Sequence, residues 1–133
     1  MTKKFIMEVV TPARKVLSVE VDSVIVPAST GYLGILVNHA PLVTSLGVGV
    51  LKYKGDGKEE YAAVCGGFME VSNNKVSIMA DAAECAFEID MERAKRAEER
   101  ARERLKRKDG IDTLRAELAL RRAMARMQAA RLR

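Results

Sequence analysis

The chain has 133 residues, of which 48% are hydrophobic and 31% are charged. This length fits one ordinary domain, or a small domain with an appendage, and excludes a multidomain enzyme. The apolar content excludes a disordered chain. No apolar stretch approaches the ~18 residues that a membrane-spanning helix needs, so we expect any membrane contact to be indirect. Two cysteines, Cys65 and Cys85, and one histidine, His39, are too few for a zinc site, and we expect reduced cysteines in the core.

Charge divides the chain near Glu88. Residues 1–88 carry 8 Lys and Arg against 10 Asp and Glu, a net charge of −2, whereas residues 89–133 carry 15 against 8, a net charge of +7. All three prolines also precede this point. We therefore predict two domains, 1–88 and 89–133, and an acidic partner for the second domain alone.

Residues 1–88 contain nine short apolar runs that we interpret as strands. Gly55-Asp56-Gly57 and Ser72-Asn73-Asn74 separate neighbouring runs, and glycine and asparagine tolerate the positive φ of tight hairpin turns. Short strands at this spacing, with no helical segment between them, predict an antiparallel β-sandwich or flattened barrel. The predicted strands are Phe5–Val10, Val16–Val21, Val24–Pro27, Tyr32–Val37, Leu42–Leu46, Val48–Tyr53, Tyr61–Cys65, Phe68–Val71 and Val76–Ala80.

Residues 89–133 have the apolar spacing of two amphipathic helices, with intervals of three and four. Asp90 and Asp112 are natural N-caps, and Gly110 follows Lys108-Asp109 as a helix-ending glycine, so a helical hairpin is predicted. Alanine contributes little buried area, and we therefore expect the hairpin to be weakly held and mobile. The apolar positions are Ala94, Ala97, Ala101 and Leu105 in the first helix, and Ala116, Leu120, Ala123, Met127 and Ala130 in the second.

The sequence contains no catalytic constellation. A nucleophile–base triad would have His39 alone as its imidazole, and the GxxxxGK[ST] phosphate loop is absent. We therefore expect a protein that is not an enzyme.

Arginines of the two predicted helices form a cluster with recognisable chemistry. Arg122 and Arg126 stand four apart on one helical face, and if the hairpin turns near Asp109, Arg93 lies opposite about residue 125. Three guanidinium groups together would suit phosphate oxygens, since each planar fork donates paired charge-assisted hydrogen bonds. A solvated helix face with pairs such as Glu98–Arg102 is the alternative interpretation.

Two loop-like stretches bracket the apolar segment Tyr32–Leu36. They are Ser29–Gly31 and Val37–Pro41. Irregular loops around a short strand offer a docking edge, but an ordinary sandwich corner with a hydrogen-bonded His39 explains the same spacing. Spacing alone leaves both interpretations open.

The whole chain resembles the epsilon subunit family of bacterial F-type ATP synthases. The order and spacing of five segments carry the resemblance, although Val37 stands where the family usually has a proline. The resemblance implies an α+β fold: an N-terminal antiparallel β-sandwich of about ten strands, followed by a C-terminal two-helix hairpin. The five segments are Gly31-Tyr-Leu-Gly-Ile-Leu36, Asn38-His-Ala-Pro-Leu42, Gly66-Gly-Phe-Met-Glu-Val71, Ile89-Asp-Met-Glu-Arg-Ala94 and Arg115-Ala-Glu-Leu-Ala-Leu-Arg-Arg-Ala123.

The same resemblance implies a role. In this family the sandwich anchors the subunit against the gamma subunit and the membrane c-ring, at the foot of the central stalk. The helices either fold down as a hairpin or extend along gamma toward the alpha and beta subunits, where they inhibit ATP hydrolysis. An acidic segment of beta would supply the acidic partner of the tail. We therefore expect a rotor subunit of a proton-translocating ATP synthase, peripheral to the cytoplasmic face of the bacterial plasma membrane.

Site residues are implied in the same way. Some family members bind ATP on the folded hairpin through the motif (Ile/Leu)-Asp-x-x-Arg-Ala, which this chain matches, so ATP is expected as a regulatory ligand without any catalytic cofactor. The implied ATP-binding residues are Glu84, Ile89, Asp90, Arg93, Ala94, Arg122 and Arg126. The implied docking loops contain Gly31, Tyr32, Asn38, His39 and Pro41, and the inhibitory contacts are Arg115, Arg121 and Arg122.

A nucleic-acid-binding module is the alternative from another functional class, because a basic helix can follow phosphates by charge alone. The tail has no aromatic residue for stacking on bases, which argues against this alternative. Acidic residues also interrupt its arginines, at Glu98, Glu99, Glu103 and Glu117.

Overall fold

The computed structural model describes residues 3–107 and 113–133. Within these residues the chain forms eight strands, one short 3-10 helix and two α-helices, and neither α-helix is long and apolar enough to cross a bilayer. The strands are β1 (Phe5–Val10), β2 (Lys15–Val21), β3 (Ser23–Ala28), β4 (Gly31–Leu36), β5 (Leu42–Ser45), β6 (Val48–Gly55), β7 (Lys58–Ser72) and β8 (Lys75–Cys85). The 3-10 helix is Ala86–Glu88, and the α-helices are α1 (Met91–Arg107) and α2 (Thr113–Leu132).

Two hairpin turns form where turn chemistry predicts them. Asp56 and Gly57 join β6 to β7 with φ angles of 53° and 78°, and Asn73 and Asn74 join β7 to β8 with φ angles of 51° and 56°. Two consecutive positive φ angles give a turn whose twist matches that of the flanking strands. Both predicted turns are confirmed.

The strands form one hydrogen-bonded sheet in the order β2-β1-β8-β7-β6-β3-β4, with β5 paired to β7 as well. Neighbouring strands run antiparallel, except that β1 and β8 run parallel. The first half of β7 pairs with β6 and its second half pairs with β5. Because β7 and β8 each continue from one layer into the other, the sheet folds over itself as a sandwich.

Gly66 and Gly67 mark the place where β7 passes between the layers. Ala62 and Met69 both face the core, although they lie an odd number of residues apart. Side chains of a regular strand alternate with a period of two, so the alternation shifts by one residue at the glycine pair. The positive φ angles of the two glycines, 65° and 106°, provide this shift.

Because β7 continues from one layer into the other, the predicted strand count is wrong. Tyr61–Cys65 and Phe68–Val71, predicted as separate strands, are the two halves of β7. The described residues therefore contain eight strands rather than about ten. The predicted fold class, an antiparallel sandwich followed by two helices, is confirmed.

Large apolar side chains fill the space between the layers. Met7, Leu51 and Met69 have no exposed surface, and Ile78 is 1% exposed. Each lies on a different strand and points inward by the period-two alternation, so the four strands contribute to one core.

The two helices pack side by side through small residues, as predicted. Ala94 and Ala101 of α1, and Ala116 and Ala123 of α2, are at most 3% exposed. The predicted turn at Lys108-Asp109-Gly110 and the predicted N-cap Asp112 lie outside the described residues.

A second buried face of α2 was not predicted. Ala125 and Ala129 pack against Val50 and Ala63, on the outer surface of β6 and β7. α2 therefore contacts α1 on one side and the sandwich on another, and it makes the main contact between the hairpin and the sheet.

Candidate functional site

The segment between β8 and α1 positions the motif Ile89–Ala94. Ile89 is 3% exposed and packs in the apolar cluster beneath α2. Asp90 caps α1: its Oδ1 accepts the backbone N–H of Arg93 at 3.2 Å, and its carbonyl accepts the N–H of Ala94 at 3.0 Å. The predicted N-cap is confirmed, and Asp90 itself remains exposed at the start of the helix.

Arg93 and Ala94 point in different directions. Ala94 is fully buried in the seam against α2, whereas Arg93 lies on the exposed surface of α1. Among residues 3–107 and 113–133, no hydrogen bond or salt bridge involves the Arg93 guanidinium. This group can therefore bind an anion without first breaking an ion pair.

Packing of α2 on the sheet brings Glu84 and Arg126 together. Glu84 pairs across strands with Ala63, which places its side chain on the surface that α2 covers. Arg126 Nε donates to Glu84 Oε1 at 2.9 Å, with 23% of the arginine and 31% of the glutamate side chain exposed. This ion pair joins the hairpin to the sandwich.

Arg122 lies one helical turn before Arg126 and borders an open cleft of about 270 Å³ between α2 and the sheet. Burial raises the pKa of the Cys65 thiol in this cleft, and the charges of Arg122 and Arg126 oppose the rise. Both guanidinium groups therefore lie close enough to the Cys65 thiol to lower its pKa. The lining residues are Val48, Cys65, Gly66, Asp81, Ala82, Leu118 and Arg122.

The side chains present fit a phosphate ligand better than a whole enclosed nucleotide. The guanidinium of Arg122 is exposed. That of Arg126 can contact an anion only if its partly exposed ion pair with Glu84 is weakened or broken. Ligand pockets usually measure about 300–1,000 Å³, so this cleft accommodates only part of a nucleotide. Asp81 on its wall would oppose the charge of an anion.

The predicted ATP-binding residues therefore fall into three groups. Glu84, Arg122 and Arg126 lie on the sheet side of α2, and Asp90 and Arg93 lie at the exposed start of α1. Ile89 and Ala94 are buried, so these two can contribute only through the backbone that they position.

The three arginines predicted as inhibitory contacts are all exposed on α2. Arg115 and Arg122 stand seven residues apart and share a helical face, whereas Arg121 lies about 100° around the helix from Arg122. In the folded hairpin, the three side chains do not form a single surface.

The predicted docking loops have ordered backbones. Tyr32 is 61% exposed, yet its hydroxyl accepts the backbone N–H of Val50 at 3.3 Å. Asn38, with φ of 62°, is held by Asn74: its N–H donates to Asn74 Oδ1 at 2.8 Å. These bonds fix the shape of the loop surface.

The neighbouring residues of these loops are also held in place. The Nδ1 of His39 lies 2.7 Å from the carbonyl of Ala40, and its backbone N–H donates to Leu36 at 3.2 Å. Gly31 has φ of 132°, and Pro41 is exposed. His39 is thus hydrogen-bonded within a corner of the sandwich, and the loop surface around it remains accessible.

Sequence reasoning missed an exposed apolar patch. Phe68 and Met79 face each other across β7 and β8 and are 58% and 43% exposed, and Val43 on neighbouring β5 is 69% exposed. The sequence does carry a signal for this patch. Side chains alternate between the two faces of a strand, so Phe68 must face outward if Met69 faces the core. Contiguous exposed apolar residues of this kind mark interaction sites. We call Val43, Phe68 and Met79 the apolar patch.

Comparison with known proteins matches both parts of the chain. The family described as ATP synthase, Delta/Epsilon chain, beta-sandwich domain matches residues 4–86. The family described as ATP synthase, Delta/Epsilon chain, long alpha-helix domain matches residues 88–131.

Individual relatives extend over nearly the whole length. The ATP synthase epsilon chain of Desulfitobacterium hafniense (strain Y51) is 50% identical over 131 residues, covering 98% of this chain and 99% of that protein. The ATP synthase epsilon chain of Symbiobacterium thermophilum is 52% identical over 126 residues, covering 93% and 91%.

A solved structure has the same fold. A chain of the Euglena gracilis mitochondrial ATP synthase, OSCP/F1/c-ring in rotational state 1, matches with a TM-score of 0.81 and 26% identity over 98% of this chain and 82% of that chain. On the two family matches and the full-length identities, this chain belongs to the ATP synthase delta/epsilon chain family.

Proposed function

We propose that this protein is a non-catalytic rotor subunit in the central stalk of a proton-translocating F-type ATP synthase. The observation that carries the proposal is the match of nearly the whole chain to proteins named ATP synthase epsilon chain. The similar solved chain comes from an assembly that contains F1 and the c-ring, which supports the same role. This full-length match argues against the alternative that the protein is a nucleic-acid-binding module.

Within this role, residues 1–88 dock the subunit and residues 89–133 regulate it. The docking loops and the apolar patch provide exposed surface on the sandwich for the gamma subunit and the c-ring. Membrane contact is then made only through the complex, at the cytoplasmic face of the bacterial plasma membrane.

A chain ending at Glu88 tests this division. It should assemble into the complex and support coupled proton transport, while ATP hydrolysis becomes less inhibited. Phe68→Ser in the full chain should weaken binding to gamma, whereas Ile25→Ser, at an exposed apolar residue of β3, is the control. Failure of the shortened chain to assemble would refute the division.

The tail would inhibit through charge when it extends toward the alpha and beta subunits. Replacing Arg115, Arg121 and Arg122 with Ala should relieve inhibition and flatten its dependence on ionic strength, because exposed charges are screened over ~8–10 Å. Arg131→Ala, also on the exposed surface of α2, controls for the loss of a charge elsewhere. Unchanged inhibition in the triple variant would favour steric blocking instead.

ATP would act as a regulatory ligand that favours the folded hairpin. The exposed guanidinium groups of Arg93 on α1 and Arg122 on α2 belong to different helices, and Arg126 also borders the sheet. A ligand that bridges these elements stabilises the folded form by RT ln(1 + [L]/Kd), about 2.7 kcal/mol at a hundredfold excess over Kd. Such a shift would lower inhibition when ATP is plentiful.

Isothermal titration of the full chain with ATP tests this regulation. Binding should be present in the unmodified chain, weaker in Arg93→Ala and Arg126→Ala, and unchanged in Arg131→Ala. Absence of binding at millimolar ATP would refute ATP sensing and leave the rotor role intact.

A further inference from the structure

Arg133, one residue beyond α2, makes hydrogen bonds to the segment that links the sandwich to α1. Its Nη1 donates to the carbonyl of Ala86 at 3.0 Å and to the carbonyl of Ile89 at 2.9 Å. Both acceptors belong to residues 86–89, which we call the linker. A guanidinium that serves two carbonyls makes charge-assisted hydrogen bonds, which are stronger than neutral ones.

This contact depends on the position of α2. Arg133 lies 44 residues from Ile89 and 47 from Ala86 in sequence, and only the packing of α2 on the sheet brings it to the linker. A hairpin that left the sandwich would break both hydrogen bonds. The Arg133 guanidinium and the Ile89 carbonyl would then return to water, whereas the Ala86 carbonyl would keep the backbone N–H of Ile89, which it accepts at 3.2 Å.

A second arginine holds the linker without depending on α2. Arg14, between β1 and β2, donates from Nη2 to Glu88 Oε2 at 2.5 Å. Both residues belong to the sandwich side of the chain, so their bond persists wherever the helices lie. Among the described residues, Arg14 thus gives the linker a polar contact that does not involve α2, whereas Arg133 gives it a polar contact that depends on the position of α2, beside the apolar packing of Ala86 and Ile89.

We propose that Arg133 is a latch that holds the helical hairpin against the sandwich. The latch closes when α2 lies along β6 and β7, and its opening is a step in any release of the hairpin. Its role in regulation rests on the proposed function of the tail. The latch itself forms within this chain and needs no partner subunit.

The chain carries a natural reporter for the latch. Cys65 is 9% exposed and lines the cleft together with Leu118 and Arg122 of α2, so lifting α2 uncovers its thiol. Cys85 is 1% exposed and pairs with the core residue Ala62, so its thiol lies on the inner face of β8, opposite the face that α2 covers. Alkylation of Cys65 therefore measures hairpin release, and alkylation of Cys85 measures unfolding of the sandwich.

The experiment compares rates of N-ethylmaleimide labelling at both cysteines, read by peptide mass spectrometry on the purified full chain without ATP. Arg133→Ala should accelerate labelling of Cys65 roughly tenfold, equivalent to about 1.4 kcal/mol, because two charge-assisted bonds at a partly exposed site are lost. Labelling of Cys85 should not change. Arg131→Ala, two residues earlier and exposed, is the matched control and should leave both rates unchanged.

An unchanged Cys65 rate in Arg133→Ala would overturn the proposal. So would an equal acceleration in Arg131→Ala, which would indicate a general effect of charge, or an equal acceleration at Cys85, which would indicate loss of the whole fold. None of these outcomes involves assembly or ATP hydrolysis, so failure of the latch is distinguishable from failure of the proposed function.

Discussion

The sandwich and the hairpin bury side chains of very different size. The sandwich core contains Met7, Leu51 and Met69 with no exposed surface, whereas the hairpin buries Ala94 against α2 and Ala129 against the sheet. Fully burying a large apolar side chain contributes about 1.5–3 kcal/mol, and an alanine methyl group contributes only a fraction of this.

This difference suits two different tasks. In the proposed role, a core of large side chains would keep the sandwich folded whether or not the hairpin is released. A contact surface of alanines, with polar ties such as Arg126–Glu84, holds the hairpin with a free energy that a ligand or a partner can balance. The same difference predicts how substitutions in the two regions behave.

The largest effect is expected at Gly67, where β7 changes layers. A Cβ at this position would clash with the backbone carbonyl oxygen of Met79, and φ of 106° is strained for any other residue. Gly67→Ala should therefore destabilise the sandwich by about 4 kcal/mol or more in urea unfolding. Gly34→Ala is the control, because nothing lies within 4 Å of its Cβ. Equal stabilities for the two variants would contradict this account.

A smaller and more local effect is expected at Ala129, which is fully buried between α2 and the sheet. Ala129→Leu should overpack this contact, at a cost of about 1–3 kcal/mol, and release the hairpin while the sandwich stays folded. Hydrogen exchange should increase in α2 and in the parts of β6 and β7 beneath it, but not around Met7 on β1, which is fully buried in the sandwich core. Gln128→Leu, at the adjacent exposed position, should change neither region. Exchange that rises uniformly would show that the two regions unfold together.

Alkaline pH should weaken the sandwich through Cys85. Burial raises the pKa of this thiol from 9.0 to about 11. Between these pH values the thiol is deprotonated in the unfolded state and protonated in the folded state. The contribution of Cys85 to the free energy of unfolding is therefore fully present below pH 9 and decreases as the pH rises toward 11. The loss is on the order of 2 kcal/mol.

Urea unfolding of the unmodified chain and Cys85→Ala at several pH values isolates this contribution. The stability difference between the two proteins should stay constant below pH 9 and decrease between pH 9 and 11. A difference that does not vary with pH would contradict the assignment.

Local chemistry and long-range packing explain which features could be predicted. The Asn73-Asn74 turn and the Asp90 cap depend on neighbouring residues, and the sequence predicted both correctly. β7 is continuous because its two halves pair with β5, β6 and β8 together. No local pattern shows this pairing, so the sequence predicts two separate strands, Tyr61–Cys65 and Phe68–Val71, on either side of Gly66 and Gly67.

The candidate site shows the same limit. Helical spacing placed Arg122 and Arg126 on one face, but only the packing of α2 shows that Glu84 pairs with Arg126. The sheet-facing stripe containing Ala125 was missed, because alanines on two sides of a helix do not give a single apolar face. Arg133 was missed because its acceptors are backbone carbonyls, which no sequence pattern identifies.

The smallest effect is expected from the ion pair between the two regions. Glu84→Gln removes the charge that Arg126 contacts at 2.9 Å, and because both side chains are partly exposed, the loss should stay below about 1 kcal/mol. Cys65 labelling should rise by a few-fold at low salt, and the rise should shrink at high ionic strength as the pair is screened. Glu98→Gln breaks the Arg102 pair within α1, which does not join the hairpin to the sheet, and should leave Cys65 labelling unchanged. If Glu84→Gln uncovered Cys65 as fully as Ala129→Leu does, charge rather than alanine packing would hold the hairpin, and the contrast between the two regions would need a different physical basis.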